Sequence, residues 1–229
     1  MKIICITTGT KSIPNDRRTN TGQSLNDCHA EILARRCLIR FCYEQLRLLF
    51  DGKSDQSIFQ TIEGTDRIRL KASRNFHLYI SMVPCGDSRI CALQDIGSEN
   101  SSVRKSRGLL RRKVGINEGT IPILARTIDP NIRLPDDDEQ QLMTMSCSDK
   151  LCRWNFVGLQ GALLSQLIEP IYYTSIVVGS LYRKEHLRQS LFARIEEVNT
   201  HEMFRRKIIE EICCRKLSNY QYHMDYDDH

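Results

Sequence analysis

Apolar and polar positions follow two different periods along this chain, and the period assigns most of its elements. From the stretch Asn26-Asp27-Cys28-His29-Ala30-Glu31 onward, Ile32, Leu33, Leu38, Phe41, Leu46 and Leu49 recur at helical spacing. The pattern predicts a helix that opens near His29, runs to about Leu49 and stops at Asp51-Gly52-Lys53. Between Phe76 and Val83 the period is two: His77, Tyr79 and Ser81 alternate with Phe76, Leu78, Ile80 and Met82, which predicts a strand. Ile171 to Leu181, rich in β-branched residues, predicts another strand, and Lys2 to Thr7 a short buried one. Phe156 to Leu167, bounded by Pro170, reads as a helix, as do His186 to Val198 and Met203 to Leu217, each with a basic face. Ser12 to Asn26 is a polar loop, Ser54 to Gly64 carries no decisive period, and Tyr220 to His229 reads as frayed.

A chain of 229 residues with helices and strands interleaved points to one α/β domain over residues 1–229, with a helical, frayed tail from 200 to 229. It is long enough to bury a core. Apolar content of 41% and charged content of 27% are ordinary for a globular protein, so composition alone selects no function. Charge is more informative. The net value is +5, but Arg104, Lys105, Arg107, Arg111, Arg112 and Lys113 crowd into one basic stretch, which suits an anionic partner. An acidic spacer, Pro135 to Glu139, follows and is expected to be solvated. No apolar run reaches the roughly 18 residues that span a membrane. The ten cysteines show no regular framework, and no secretory signal precedes them. Reduced thiols inside the cell, in cytoplasm or nucleus, with some serving as metal ligands, fit better than disulfides.

The chemistry concentrates at the opening of the first helix. His29-Ala30-Glu31 has the form H-x-E, the spacing at which zinc nucleobase deaminases place an imidazole ligand and a proton-shuttling carboxylate. Two residues apart on a helix, the side chains diverge by about 200° around the axis. One can hold a metal while the other reaches past it to a substrate. The second half of that signature, P-C-x-x-C, is incomplete here: Pro84-Cys85-Gly86-Asp87 is followed by Ser88. A further thiolate has to come from elsewhere, and Cys91, Cys147 and Cys152 are the candidates. Cys147 lies in a polar turn before a helix-like segment, where a helix dipole favours a thiolate. Cys91 and Cys152 are the more ordinary core fillers.

Taken in order, several stretches resemble the RNA-editing adenosine deaminase family. They are Thr8-Gly9-Thr10-Lys11, Leu25-Asn26-Asp27-Cys28-His29-Ala30-Glu31-Ile32, Pro84-Cys85-Gly86-Asp87, Arg107-Gly108 through Glu118-Gly119-Thr120-Ile121-Pro122, and Met145-Ser146-Cys147-Ser148-Asp149-Lys150. Trp154-Asn155, Gly158-Leu159-Gln160-Gly161, Glu169-Pro170-Ile171-Tyr172 and Gly179-Ser180-Leu181-Tyr182 continue the series, which covers Gly9 to Arg194. The resemblance implies a three-layer α/β/α deaminase-like fold with a central mixed sheet and zinc held at helix N-termini. It implies that His29, Cys85 and Cys147 bind one Zn²⁺ with water in the open fourth position. Glu31 then shuttles protons while adenosine becomes inosine.

The same resemblance implies a second cofactor, inositol hexakisphosphate, contacted by Asn26, Ile32, Arg35, Arg36, Thr144, Lys150, Arg153, Trp154 and Gln160. Asp27 joins Lys150 in a relay from that ligand towards the metal site. For RNA, it implies that Thr10 and Lys11 approach the target nucleotide, that Arg89, Arg107, Arg111 and Lys113 bind flanking backbone, and that Glu118 fills the space a flipped base leaves. Relative to the family the chain is short at both ends. It shows no double-stranded-RNA-binding domain, so the expected partner is tRNA, with the adenosine 3′ of the anticodon of alanine tRNA as substrate and no obligate protein partner. Cytidine deamination and a non-catalytic RNA-binding module are the rival readings.

Overall fold

The computed structural model describes residues 2–13, 17, 19, 21–94, 108–114, 119–123, 141–193 and 211–214. Helix α1 (Ala30–Phe50) lays Leu38, Cys42 and Leu46 against the core at four-residue spacing. A short antiparallel hairpin follows, β1 (Phe59–Thr61) against β2 (Ile68–Leu70), and its first strand falls in Ser54 to Gly64, the stretch without a decisive period. Strand β3 (Phe76–Met82) keeps the predicted alternation as far as Ser81, with Phe76, Leu78 and Ile80 buried and His77, Tyr79 and Ser81 exposed, whereas Met82, expected on the buried face, is exposed at the strand end. Helix α2 (Asp87–Gln94), strands β4 (Arg111–Val114), β5 (Thr120–Pro122) and β6 (Gln141–Met145), and helices α3 (Cys147–Val157) and α4 (Gly161–Leu164) come next. Strand β7 (Tyr173–Ser180), helix α5 (Lys184–Arg188), a π-helical turn (Gln189–Ala193) and strand β8 (Glu211–Cys214) complete the described chain.

The mixed α/β class holds. Among the described residues, strands form a parallel sheet ordered β3-β7-β8, an antiparallel sheet ordered β5-β4-β6, and the β1-β2 hairpin. In the parallel sheet Leu78 pairs Ile176 and Ile80 pairs Val178, so their inner faces stack on Leu38, Leu151, Trp154, Leu187 and Leu191 in one core. No helix among the described residues is long and apolar enough to cross a membrane.

Four expectations need correction. Lys2 to Thr7 forms no strand. Its alternation is real, with Cys5, Thr7 and Gly9 facing inward, but the partner is the start of α1: Thr7 Oγ1 donates to the Ala30 carbonyl at 2.9 Å. The helix expected from Phe156 begins earlier, at Cys147, because Ser146 caps it, accepting from the Asp149 N–H at 3.2 Å and donating to the Asp149 carboxylate at 2.7 Å. It ends at Val157, where the Gly158 N–H turns back to the Trp154 carbonyl. The helix expected from His186 starts at Lys184 and passes into the π-helical turn. Glu211–Cys214 is strand rather than helix, since Ile212 pairs Ile176 and Cys214 pairs Val178 at the edge of β7. Sheet pairing there overrides an amphipathic pattern. The acidic spacer, Arg104 and Lys105, and the rest of the expected C-terminal helix and tail lie outside the described residues.

Candidate active site

Three chain segments meet at one point because their backbones lock together first. The segment after Thr8 runs back along the approach to α1: Cys28 N–H donates to the Lys11 carbonyl and Ala30 N–H to the Gly9 carbonyl, both at 2.9 Å. The latter satisfies one of the free amides at the helix start. A Cβ on Gly9 would sit 2.1 Å from the Cys28 carbonyl oxygen, so only glycine permits this approach. The starts of α2 and α3 approach as closely. Ser148 N–H donates to the Cys85 carbonyl at 3.0 Å, and a Cβ on Gly86 would lie 2.4 Å from Ser146 Oγ.

These contacts converge three buried side chains. His29 is the residue before α1, Cys85 leads into α2, and Cys147 is the first residue of α3. Their ligand atoms all lie within 4.8 Å of one another, with Cys85 Sγ 3.9 Å from His29 Nδ1. Bonds of about 2.3 Å to sulfur and about 2.0–2.1 Å to nitrogen place tetrahedral zinc donors roughly 3.5–3.8 Å apart. The donor set and its spacing therefore fit zinc, with three protein ligands and one position left over. Cys152 is buried nearby in sequence but belongs to no such group among the described residues. The side chain of Cys91 lies outside the described residues.

The protonation pattern suits a cation. The Cys147 thiol hydrogen-bonds to Cys85 and, against the cost of burial, holds Cys85 down at about 4, helped by His29 and Lys113. The same contact, with burial, pushes Cys147 well above the ordinary thiol value. Two buried thiols that share a hydrogen bond, with His29 and Lys113 close to Cys85, form a donor pair from which a bound cation would displace protons. Glu31 is 8% exposed beside them. Burial raises its carboxyl above the usual range, offset in part by a backbone hydrogen bond, with Cys85 adding to the rise.

Behind these three side chains lies a buried ionic network. Lys113 Nζ donates to both Asp27 carboxylate oxygens at 2.9 Å, and Lys150 Nζ donates to Oδ2. Asp27 in turn accepts from the His29 N–H at 3.1 Å, fixing the backbone of a metal-capable residue. Burial would raise the Asp27 carboxyl, but the two ammonium groups outweigh it and hold it at about 2.

Lys113 and Arg111 correct the sequence expectation. Both were assigned to RNA backbone, and both are buried, at 3% and 6% exposed. They share the inner face of β4, while Arg112 and Val114 take the other. Arg111 donates its N–H to Asp149 at 2.8 Å and its Nε to Thr120 Oγ1 at 3.2 Å. The missed signal was the two-residue period of Arg111 and Lys113, masked because a basic run reads as a loop. Thr10 and Lys11 are exposed beside Cys28 and His29, and Arg89 is half-buried in the first turn of α2. Arg107 and Glu118 lie outside the described residues.

The residues expected to hold inositol hexakisphosphate divide. Arg35 lies over the buried Trp154 ring, 4.9 Å from its centre, and its Nε is buried without a hydrogen-bond partner among the described residues. Burial first, then Arg153 and Arg36, lower its affinity for its proton. Arg36 and Arg153 are exposed, and no ion pair engages any of the three among the described residues. Thr144 is buried, Ile32 half-buried and Asn26 exposed. The Gln160 amide serves the backbone, donating to Val157 at 2.7 Å and accepting from Ile171 at 3.1 Å.

A family model described as the adenosine-deaminase (editase) domain matches residues 5–225. The Drosophila melanogaster protein "Double-stranded RNA-specific editase Adar" is 45% identical, the match covering 86% of this chain and 29% of that one. The Mus musculus "Double-stranded RNA-specific adenosine deaminase" is 38% identical, covering 84% of this chain and 17% of the relative. The Drosophila melanogaster "tRNA-specific adenosine deaminase 1" is 33% identical, covering 85% and 49%. The chain thus spans less than half the length of these relatives. With the match running almost from end to end and the three metal-capable side chains converging, this chain belongs to the adenosine-deaminase (editase) domain family.

Proposed function

We propose that this domain deaminates adenosine to inosine in RNA, with zinc held by His29, Cys85 and Cys147 and with Glu31 as the catalytic acid–base. The observation that carries the reading is the meeting of those three buried ligands, within 4.8 Å of one another, beside a buried carboxylate. A zinc ion there would supply the Lewis acid that makes water nucleophilic at neutral pH. Glu31 takes a proton from the attacking water and delivers it to N1 of adenine, which opens C6 to the oxygen. It then carries a proton to the departing amine, so that adenosine and water give inosine and ammonia. The buried position of Glu31 suits a group that must be protonated and deprotonated in one turnover. The target base has to leave its stack to reach this pocket. Thr10 and Lys11, exposed next to His29, and Arg89 stand where flanking phosphates would be held.

We assign the substrate to adenosine in double-stranded RNA. Relatives named for that substrate reach 45% identity, against 33% for the tRNA-specific one. The expectation of tRNA rested on the lack of a double-stranded-RNA-binding domain. A chain spanning 29% of one editase's length gives that reasoning no footing. The tRNA-specific relative keeps tRNA as the second reading. Arg35, with its unpartnered Nε over Trp154 and with Arg36 and Arg153 beside it, supports an anion seat, and inositol hexakisphosphate is the ligand we place there. Lys150 and Asp27 would link that seat to the metal site. Free thiols at Cys85 and Cys147 support an intracellular, reducing setting.

The test is inosine formation in two substrates side by side, a perfect RNA duplex and an unmodified alanine tRNA transcript. Inosine in the duplex alone supports the assignment. Inosine beside the anticodon alone transfers it to tRNA. Inosine in neither removes the catalytic reading.

A further inference from the structure

The reaction leaves unused a chain of three buried hydroxyls beside the metal ligands. Ser148 follows Cys147 and Ser88 lies three residues after Cys85; both are 0% exposed, and Ser190 in the π-helical turn is 1% exposed. Ser148 Oγ donates to the Cys85 carbonyl at 2.8 Å and shares a 3.0 Å hydrogen bond with Ser88 Oγ. Ser88 is bonded in turn to Ser190. Each hydroxyl has one proton to give. The Cys85 carbonyl at one end and the Leu187 carbonyl at the other, 3.2 Å from Ser190 Oγ, can only accept, so the outer hydroxyls of Ser148 and Ser190 are turned to carbonyls and Ser88 bridges them with the one proton it has.

The chain rests at one end on the peptide of Cys85, one of the three metal-capable residues. The Cys85 carbonyl receives two donors from one residue, the Ser148 N–H at 3.0 Å and the Ser148 hydroxyl at 2.8 Å. That residue is the immediate neighbour of Cys147. The link between the Cys85 peptide and the start of α3 thus runs through Ser148, whose hydroxyl is also bonded to Ser88. Ser190 extends the link to the segment whose Leu187 and Leu191 are fully buried in the core. Ser88 also stands where P-C-x-x-C would put a second cysteine. Here that position carries a hydroxyl turned to Ser148 and Ser190.

We propose that Ser88 is a positioning residue for the metal centre: through Ser148 it sets the relative orientation of Cys85 and Cys147, and through Ser190 it couples that geometry to the segment Lys184 to Ala193. This rests on the reading of His29, Cys85 and Cys147 as a zinc site. A hydroxyl that only filled core space would alter stability and leave the metal's electronic environment unchanged. Outer groups that orient ligands change both, and their loss costs about 10–100-fold in metal affinity.

The experiment uses the full chain loaded with cobalt(II) in place of zinc, so that visible absorption reports the geometry of the sulfur ligands. It compares the parent protein with Ser88→Ala, Ser190→Ala, the double variant, and Ser165→Ala as a remote hydroxyl control. Ser88→Ala is expected to bind one metal, to shift the cobalt bands, and to hold zinc about tenfold more weakly in chelator competition. Ser190→Ala shifts the bands in the same direction by less, and the double variant matches Ser88→Ala. Bands and zinc affinity unchanged in Ser88→Ala overturn the proposal. Should Ser88→Ala fail to fold by circular dichroism, Ser190→Ala decides in the same way. A parent protein that takes up neither metal overturns the zinc reading, and this proposal with it.

Discussion

Gly86→Ala tests whether the metal site depends on two helix starts touching. The added Cβ would lie 2.4 Å from Ser146 Oγ, 2.8 Å from Ser146 Cβ and 3.2 Å from Ser148 Cβ. Ser146 cannot swing away cheaply. Its hydroxyl holds the Asp149 carboxylate at 2.7 Å and its N–H holds the Arg111 carbonyl at 2.9 Å. Relief has to come from parting the starts of α2 and α3 by something on the order of 0.5–1 Å. Gly86 also has φ of 111°, a conformation that alanine adopts only with strain. The strain costs about 1–3 kcal/mol and the overpacking about 1–3 kcal/mol. Together that is about 2–6 kcal/mol from a total stability of about 5–15 kcal/mol. Metal–ligand distances tolerate only about 0.2 Å, so the displacement is expected to release zinc as well. Chemical denaturation and zinc content per chain measure the two effects. Gly52→Ala is the control: φ is 76° there but nothing lies within 4 Å, so only the strain remains. Gly86→Ala with parental stability and a full zinc complement would refute the reasoning.

Cys147→Ser should abolish stoichiometric zinc while Cys152→Ser retains it, as read by metal analysis after dialysis. Asp27→Asn leaves Lys113, 3% exposed, without its anion, and should lower stability by about 3–5 kcal/mol in urea denaturation. Lys11→Ala should weaken RNA binding and make the slope of log affinity against log salt shallower by about 0.7–0.9, with stability changed by less than about 0.5 kcal/mol. Lys113→Ala should do the reverse, losing stability because the buried Asp27 is left with Lys150 alone; a change in salt slope alone would return Lys113 to the RNA surface.

What could be read in the sequence follows which forces act locally. Helix α1 and strand β3 were legible because burial on one face imposes a period that Leu38, Cys42 and Leu46, or Phe76, Leu78 and Ile80, must obey. His29 and Glu31 stood out because H-x-E is itself the spacing of an imidazole ligand and a carboxylate, and His29 meets Cys85 and Cys147 in one metal-capable group. The position of Cys147 beside them was not a property of local spacing; it depends on Gly86 and Ser148 bringing two distant helix starts together. β8 was misread because its structure is decided by pairing with Ile176 and Val178, far away in the chain. Lys113 was misread for a related reason. A lysine in a basic run is ordinarily solvated, and only the location of Asp27 across the fold makes its burial favourable.

The most direct test measures zinc content and inosine formation on the same preparations of the parent domain and Glu31→Gln, with duplex RNA as substrate. The geometry predicts one zinc in each and inosine from the parent alone, because the variant keeps His29, Cys85 and Cys147 but cannot move the proton to N1. Inosine formed by Glu31→Gln at the parental rate, or by a parent domain that holds no zinc, would contradict it.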